Sequence, residues 1–173
     1  MTTFANIVLF QAVWFATIIG ASKGLAWPGA AALLIFLGAH YYLSRTARVD
    51  YVLSLILVGV GIVVETLLSG GGLISYDTTG LSPAWILLLW CNLGLILNNS
   101  ISWLANRPLL ASILGAVGGA ASYLGGVKLG AAELHVPTTT ATLILAITWA
   151  ILTPLLFYLA RCLAGRMPVT RAE

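Results

Sequence analysis

Charge is what this chain has least of. Asp, Glu, Lys and Arg make up 8% of its 173 residues, against 60% hydrophobic residues and a mean hydropathy of +1.02. Soluble domains carry roughly 25% charged residues. The shortage therefore excludes a soluble domain and points to a polytopic membrane protein of one compact unit. The net charge of +3 is spread over loops and the C-terminal segment. No basic patch forms, which excludes a nucleic-acid partner. Two cysteines, Cys91 inside one apolar span and Cys162 at the end of another, make no disulfide framework. The two histidines, His40 and His135, fall on opposite sides of the membrane in the predicted topology, so no metal site and no metal cofactor is expected. His-Glu-x-x-His, Gly-x-Ser-x-Gly and phosphate-loop patterns are missing too, and no catalytic residue is assigned. No Lys or Arg precedes Lys23, so the first apolar run is expected to be an uncleaved span and not a signal peptide.

What is present is apolar sequence in six blocks, at about 4–22, 26–43, 51–69, 83–105, 109–127 and 140–160. Each approaches the roughly 20 residues that a helix needs to cross the hydrocarbon core. The expected fold is an all-α bundle of six transmembrane helices in one domain, residues 1–165, with a tail over 166–173. Turn chemistry separates the blocks: Lys23-Gly24, Ser44 to Arg48, Gly70-Gly71-Gly72, Asn106-Arg107-Pro108 and Leu134 to Pro137. Pro83 opens the fourth span, and Pro154 sits inside the sixth, where it predicts a kink. Six arginines (Arg45, Arg48, Arg107, Arg161, Arg166 and Arg171) share one predicted side, against Lys23 and Lys128 on the other. The positive-inside rule then places both termini in the cytoplasm, in a multi-pass protein of a bacterial inner membrane.

Inside these blocks polar residues are few and therefore informative. Glu65 is the lone charge in the run from Tyr51 to Leu68. An acidic group at a helix centre costs about 2.5–3.5 kcal/mol or more in lipid, so it needs a partner. Glu65 lies about 21 Å from Tyr51 along a helix rising 1.5 Å per residue, in the outer third of the bilayer. Lys128 ends the fifth span on that side, and a Glu65–Lys128 ion pair is the expected contact. A protonated Glu65 bonded to a serine or a backbone carbonyl is the alternative. Asn6, Gln11 and Trp14 on the first span, and Trp85, Asn92 and Asn99 at intervals of seven on the fourth, form a second polar group. They serve either as interhelical glue, which predicts that the first and fourth helices meet, or as a cleft for a headgroup or small solute. On the fifth span, Ala111, Gly115 and Gly119 repeat every four residues, as do Gly118, Ser122 and Gly126. That spacing predicts close helix contact, a central or dimer-forming helix, and Tyr123 projecting into the space left over.

Three ordered motifs carry a resemblance over nearly the whole chain. They are Asn6-x-x-x-Phe10-Gln11-x-x-Trp14-Phe15, then Pro83-x-Trp85-x-x-x-Leu89-Trp90, then Leu114-Gly-x-x-Gly-Gly119-x-x-Ser-Tyr123-x-x-Gly126-x-x-Leu129-Gly-Ala131. With them the chain resembles an uncharacterised family of small bacterial inner-membrane proteins, a domain of unknown function. Ala120 stands where that family often has proline, and Glu65 where it usually has aspartate. The resemblance implies no activity. It does imply a neighbourhood, because members are often encoded near enzymes of membrane-lipid modification.

The function expected from these residues is an accessory or lipid-binding component of envelope lipid metabolism, with membrane lipid, a membrane-protein partner or a second copy as its partners. One alternative is a small-solute or proton-coupled transporter built on Glu65, Lys128 and the amides. The other is an intramembrane lipid-modifying enzyme, which needs Glu65, Asp77 or His135 around one outer pocket.

Overall fold

The computed structural model describes residues 1–76 and 82–167. Asp77 and the segment 168–173 lie outside them. Six α-helices follow in order: α1 Thr3–Ala21, α2 Trp27–Leu43, α3 Ala47–Gly70, α4 Ala84–Leu97, α5 Pro108–Lys128 and α6 Thr138–Arg166. A short 3-10 turn, Ser102–Leu104, separates α4 from α5. Two-residue strands, β1 (Ile74–Ser75) and β2 (Glu133–Leu134), pair antiparallel and join the loop after α3 to the loop after α5. Four helices, α1, α3, α5 and α6, are long and apolar enough to cross a membrane; α2 and α4 have 17 and 14 residues. Large apolar side chains such as Leu34, Leu55, Val63, Leu67, Val117 and Ile147 are exposed around the outside. Lipid accounts for such a surface; water does not.

The helices pack as neighbouring antiparallel pairs, and a glycine lets the backbones approach in each. Gly29 of α2 lies against Thr17 of α1, Gly94 of α4 against Ser54 of α3, and Gly115 of α5 against Thr153 of α6; a Cβ at any of these would collide with the facing side chain. Small residues at such crossings are how membrane helices gain contact without a hydrophobic drive between them. Of the two small-residue rows on α5, the one from Ala111 to Gly119 faces α6, and the one from Gly118 to Gly126 lines a cleft. The expected central placement is therefore corrected. The main packing partner of α5 is α6, and across the cleft it meets α1 largely through side chains.

One end of the bundle has a repeated stop. Leu25, Leu73 and Ala131 donate their backbone N–H groups to the carbonyls of Gly20, Leu68 and Gly126, five residues back. Gly24, Gly72 and Gly130 sit just before the donors with φ of 69°, 68° and 79°. This is the Schellman ending, whose left-handed position glycine takes without a Cβ penalty. It turns the chain sharply after α1, α3 and α5.

The fourth helix departs most from its expected span. Helical residues run only to Leu97, where 83–105 is predicted. Asn98, Asn99 and Ser100 then leave the helix, because their polar groups bond elsewhere: Asn98 and Asn99 to Asp50, Ser100 to Asn6. Asn and Ser compete for hydrogen bonds in this way wherever a better geometry is offered. The stripe of Trp85, Asn92 and Asn99 is thus not a continuous helix face. The third helix departs in the other direction, starting at Ala47 and taking in Asp50. The sixth continues past Pro154 to Arg166.

Candidate functional site

Between α1 and α4 on one side and α5 and α6 on the other lies a cleft of about 590 Å³. Its walls are mainly apolar, with Phe10 and Ile18 from α1, Leu89 and Leu93 from α4, and Phe157 from α6 among them. Gln11, Leu114, Gly118 and Ala121 line it and are exposed at mid-helix. The cleft therefore opens sideways between α1 and α5. One hydrogen bond crosses this opening, from the Trp14 indole N–H to Ser122 Oγ at 2.8 Å. Gly125, one turn below Trp14's contact, leaves room for that indole.

At the closed end stands Glu65, 0% exposed. Three donors from three elements converge on it. Trp90 of α4 gives its indole N–H to Oε1 at 2.9 Å, Tyr123 of α5 gives its hydroxyl to the same oxygen, and Tyr76 gives its hydroxyl to Oε2. Each donor has a local cause. The β1–β2 pair fixes the loop that carries Tyr76. Gly61, one turn before Glu65 on α3, has no side chain to keep the Trp90 ring away. Tyr123 sits on the glycine-rich turn of α5 that faces the cleft. Burial, reinforced by the neighbouring Glu65 carboxylate, pushes the Tyr76 phenol far above its ordinary value, so it stays a donor at any physiological pH.

The expected Glu65–Lys128 pair is absent. Lys128 is exposed, and Glu65 makes no ion pair among the described residues. The reason is angular. Five residues separate Tyr123 from Lys128, which is about 140° around a helix of 3.6 residues per turn. When Tyr123 faces Glu65, Lys128 faces away. His135 is exposed and is not a hydrogen-bond partner of Glu65, and Asp77 lies outside the described residues.

The amides are used mainly between helices. Asn6 donates to the Leu95 carbonyl at 3.2 Å and accepts from the Ser100 N–H and hydroxyl, while Asn92 donates to the Phe10 carbonyl at 3.1 Å. Both tie α1 to α4. Gln11 and Asn92 also line the cleft, and Asn92 Oδ1 is buried with no partner.

A second buried acid was not anticipated. Asp50 is 0% exposed and collects four donors: His40 Nε2 at 2.8 Å, Thr46 Oγ1 at 2.6 Å, and the amides of Asn98 and Asn99, each at 2.9 Å. This cluster knots α2, α3 and the end of α4 at the end of the bundle opposite Glu65. A usable signal was the polar run Asn98-Asn99, too costly for lipid unless something buried needs its donors.

No curated protein and no solved structure matches the chain. One family description does, over residues 3–155, which take in Glu65, all three of its donors and the cleft lining except Leu156 and Phe157. On that match the chain belongs to DUF2878, a family described as protein of unknown function.

Proposed function

We propose that this protein holds a lipid or lipid-like molecule in the cleft between α1 and α5, with the molecule's polar end toward Glu65, and that it serves membrane-lipid metabolism as a binding or accessory component. The observation that carries this reading is the shape and chemistry of the cleft. An apolar cavity of about 590 Å³ opens sideways at mid-helix and ends on a fully buried carboxylate. Ligand cavities of this size class are typically apolar with a few placed polar groups. A sideways opening in a membrane bundle admits a molecule already dissolved in the bilayer. The proposed setting is the inner membrane of a bacterium, with both termini cytoplasmic, supported by the six arginines that the topology predicted from the sequence puts on one side.

Gly118 supplies the test. It lines the cleft, and a side chain there would meet nothing within 4 Å. Gly118→Phe should fill the cavity without disturbing helix packing. Protein purified in mild detergent should retain lipid, measured by mass spectrometry after extraction, and G118F should retain much less while melting at the same temperature. Clean recovery of delipidated wild-type protein, or equal retention by the variant, would overturn the proposal.

A further inference from the structure

The described residues contain three acidic side chains, and their surroundings differ. Glu133 is exposed on the β2 ribbon. Asp50 is buried opposite His40, which can carry a proton to it. Glu65 is equally buried but faces only neutral donors, two phenols and an indole. These donors occupy Oε1 twice and Oε2 once, and a carboxylate offers about four acceptor positions. One acceptor position on Oε2 is therefore left without a donor among the described residues. A buried carboxylate without a counter-charge is costly, and a proton or a cation removes the cost.

We propose that Glu65 recognises an amine or quaternary-ammonium group carried on an apolar body, the cation lying at the closed end of the cleft and the body extending toward the opening between α1 and α5. This deepens the cleft reading above and rests on it. Three features select that chemistry. The carboxylate supplies the opposite charge. Trp14, Trp85, Tyr76 and Tyr123 pack together around this end of the cleft, and aromatic rings with a carboxylate are the usual surroundings of organic cations. The walls beyond are apolar, so they reject a small hydrated cation and accept a hydrophobic one. An anionic ligand would meet Glu65 with no base beside it, because Lys128 is turned away.

The experiment measures binding of tetraphenylphosphonium and dodecyltrimethylammonium to the full-length protein in neutral detergent by equilibrium dialysis, with dodecanol as the uncharged comparison. The cations should bind at least about tenfold more tightly than dodecanol. Glu65→Gln, checked for folding by gel filtration and melting, should lose that preference. Trp85→Ala should weaken cation binding more than it weakens dodecanol binding, which keeps the test open if E65Q does not fold. Mass spectrometry of the retained lipid separates two sources of the same chemistry. Enrichment of amine-bearing lipids that tetraphenylphosphonium displaces identifies a headgroup; cation binding with no headgroup enrichment identifies a free lipophilic cation. Equal affinity for cation and alcohol in the wild type, or unchanged cation binding in folded E65Q, overturns the inference. Lipid retention that G118F abolishes, with no cation preference, would sink this inference and leave the cleft reading standing.

Discussion

Trp90 and Trp149 stack with 5.3 Å between ring centroids and 18° between ring planes, and a glycine closes each side of the stack. Gly61 of α3 lies against the Trp90 indole and Gly119 of α5 against the Trp149 indole. Four helices thus meet through two flat rings and two missing side chains. The stack also aims the Trp90 N–H at Glu65, so the packing of the bundle and the geometry of the carboxylate are set by the same residues.

Adding a methyl group to either glycine should therefore be felt. A Cβ at Gly61 or Gly119 would overlap the ring atoms of Trp90 or Trp149. Overpacking of this kind costs about 1–3 kcal/mol. Gly61→Ala and Gly119→Ala should each lower stability by that amount in detergent unfolding. Gly59→Ala, two positions away with nothing within 4 Å of its Cβ, should be neutral or more stable, since alanine is the better helix former. Equal effects at Gly59 and Gly61 would remove the stack from its structural role.

The donors to Glu65 are unequal, and that predicts an order. Oε1 accepts from both Trp90 and Tyr123, whereas Oε2 accepts from Tyr76. Tyr123→Phe leaves each oxygen with a donor; Tyr76→Phe strips Oε2. A hydrogen bond to a charged group contributes about 1.5–3 kcal/mol. Y76F should sit at the upper end of that range and Y123F at the lower end. In a double-mutant cycle with Glu65→Gln, Tyr76 should show a coupling of about 0.5–3 kcal/mol. A cycle that adds without coupling would mean that Tyr76 and Glu65 are not partners in the membrane.

How much of this was legible in the sequence follows from what each residue stands against. Glu65 is conspicuous because nothing else in its run is charged, and Tyr123 because glycines surround it. The meeting of α1 and α4 was readable from Asn6 and the asparagines opposite, since amides in lipid need partners, and Asn6 bonds the Leu95 carbonyl. The partner of Glu65 was not readable. Depth along a helix can be counted from sequence, but the angle around it depends on which face packs, and that angle decides between Lys128 and Tyr123. Asp50 escaped notice for a different reason. It follows Arg45 and Arg48 at a span edge, where a charge is ordinary, and only the fold shows the helix starting before it. The bend after Leu97 was hidden because a heptad of polar residues reads as helix until their hydrogen bonds are known.

Asp50 gives its own ordering. Removing His40 leaves the carboxylate three donors, from Thr46, Asn98 and Asn99. Removing the carboxylate leaves four donors facing one another, each unmade bond costing about 1–3 kcal/mol. Asp50→Ala should therefore destabilise the protein far more than His40→Ala, whose loss should be about 1.5–3 kcal/mol. Unfolding of the two variants in the same detergent checks this. The reverse order would mean that the histidine, and not the carboxylate, is the hub of the cluster.

The last prediction concerns α2 and α4, which at 17 and 14 residues fall short of the four longer helices. Fourteen residues rise about 21 Å, against a hydrocarbon core of about 30 Å. The residues after Leu97 can make up the difference. Ser100 is buried against Asn6, and Leu104 is buried in the core with Leu97 and Phe157. Irregular backbone is tolerated at membrane depth where protein covers it. Both helices should then cross, and reporter fusions should alternate along the chain. Green fluorescent protein should glow when fused after Ser44 or Arg107 and at the C-terminus, while alkaline phosphatase should be active after Gly24, Gly72 and Gly130. Phosphatase activity after Ser44 would show that α2 turns back within the bilayer. Activity after Arg107 would show the same of α4, and the arginines would then no longer mark a single side.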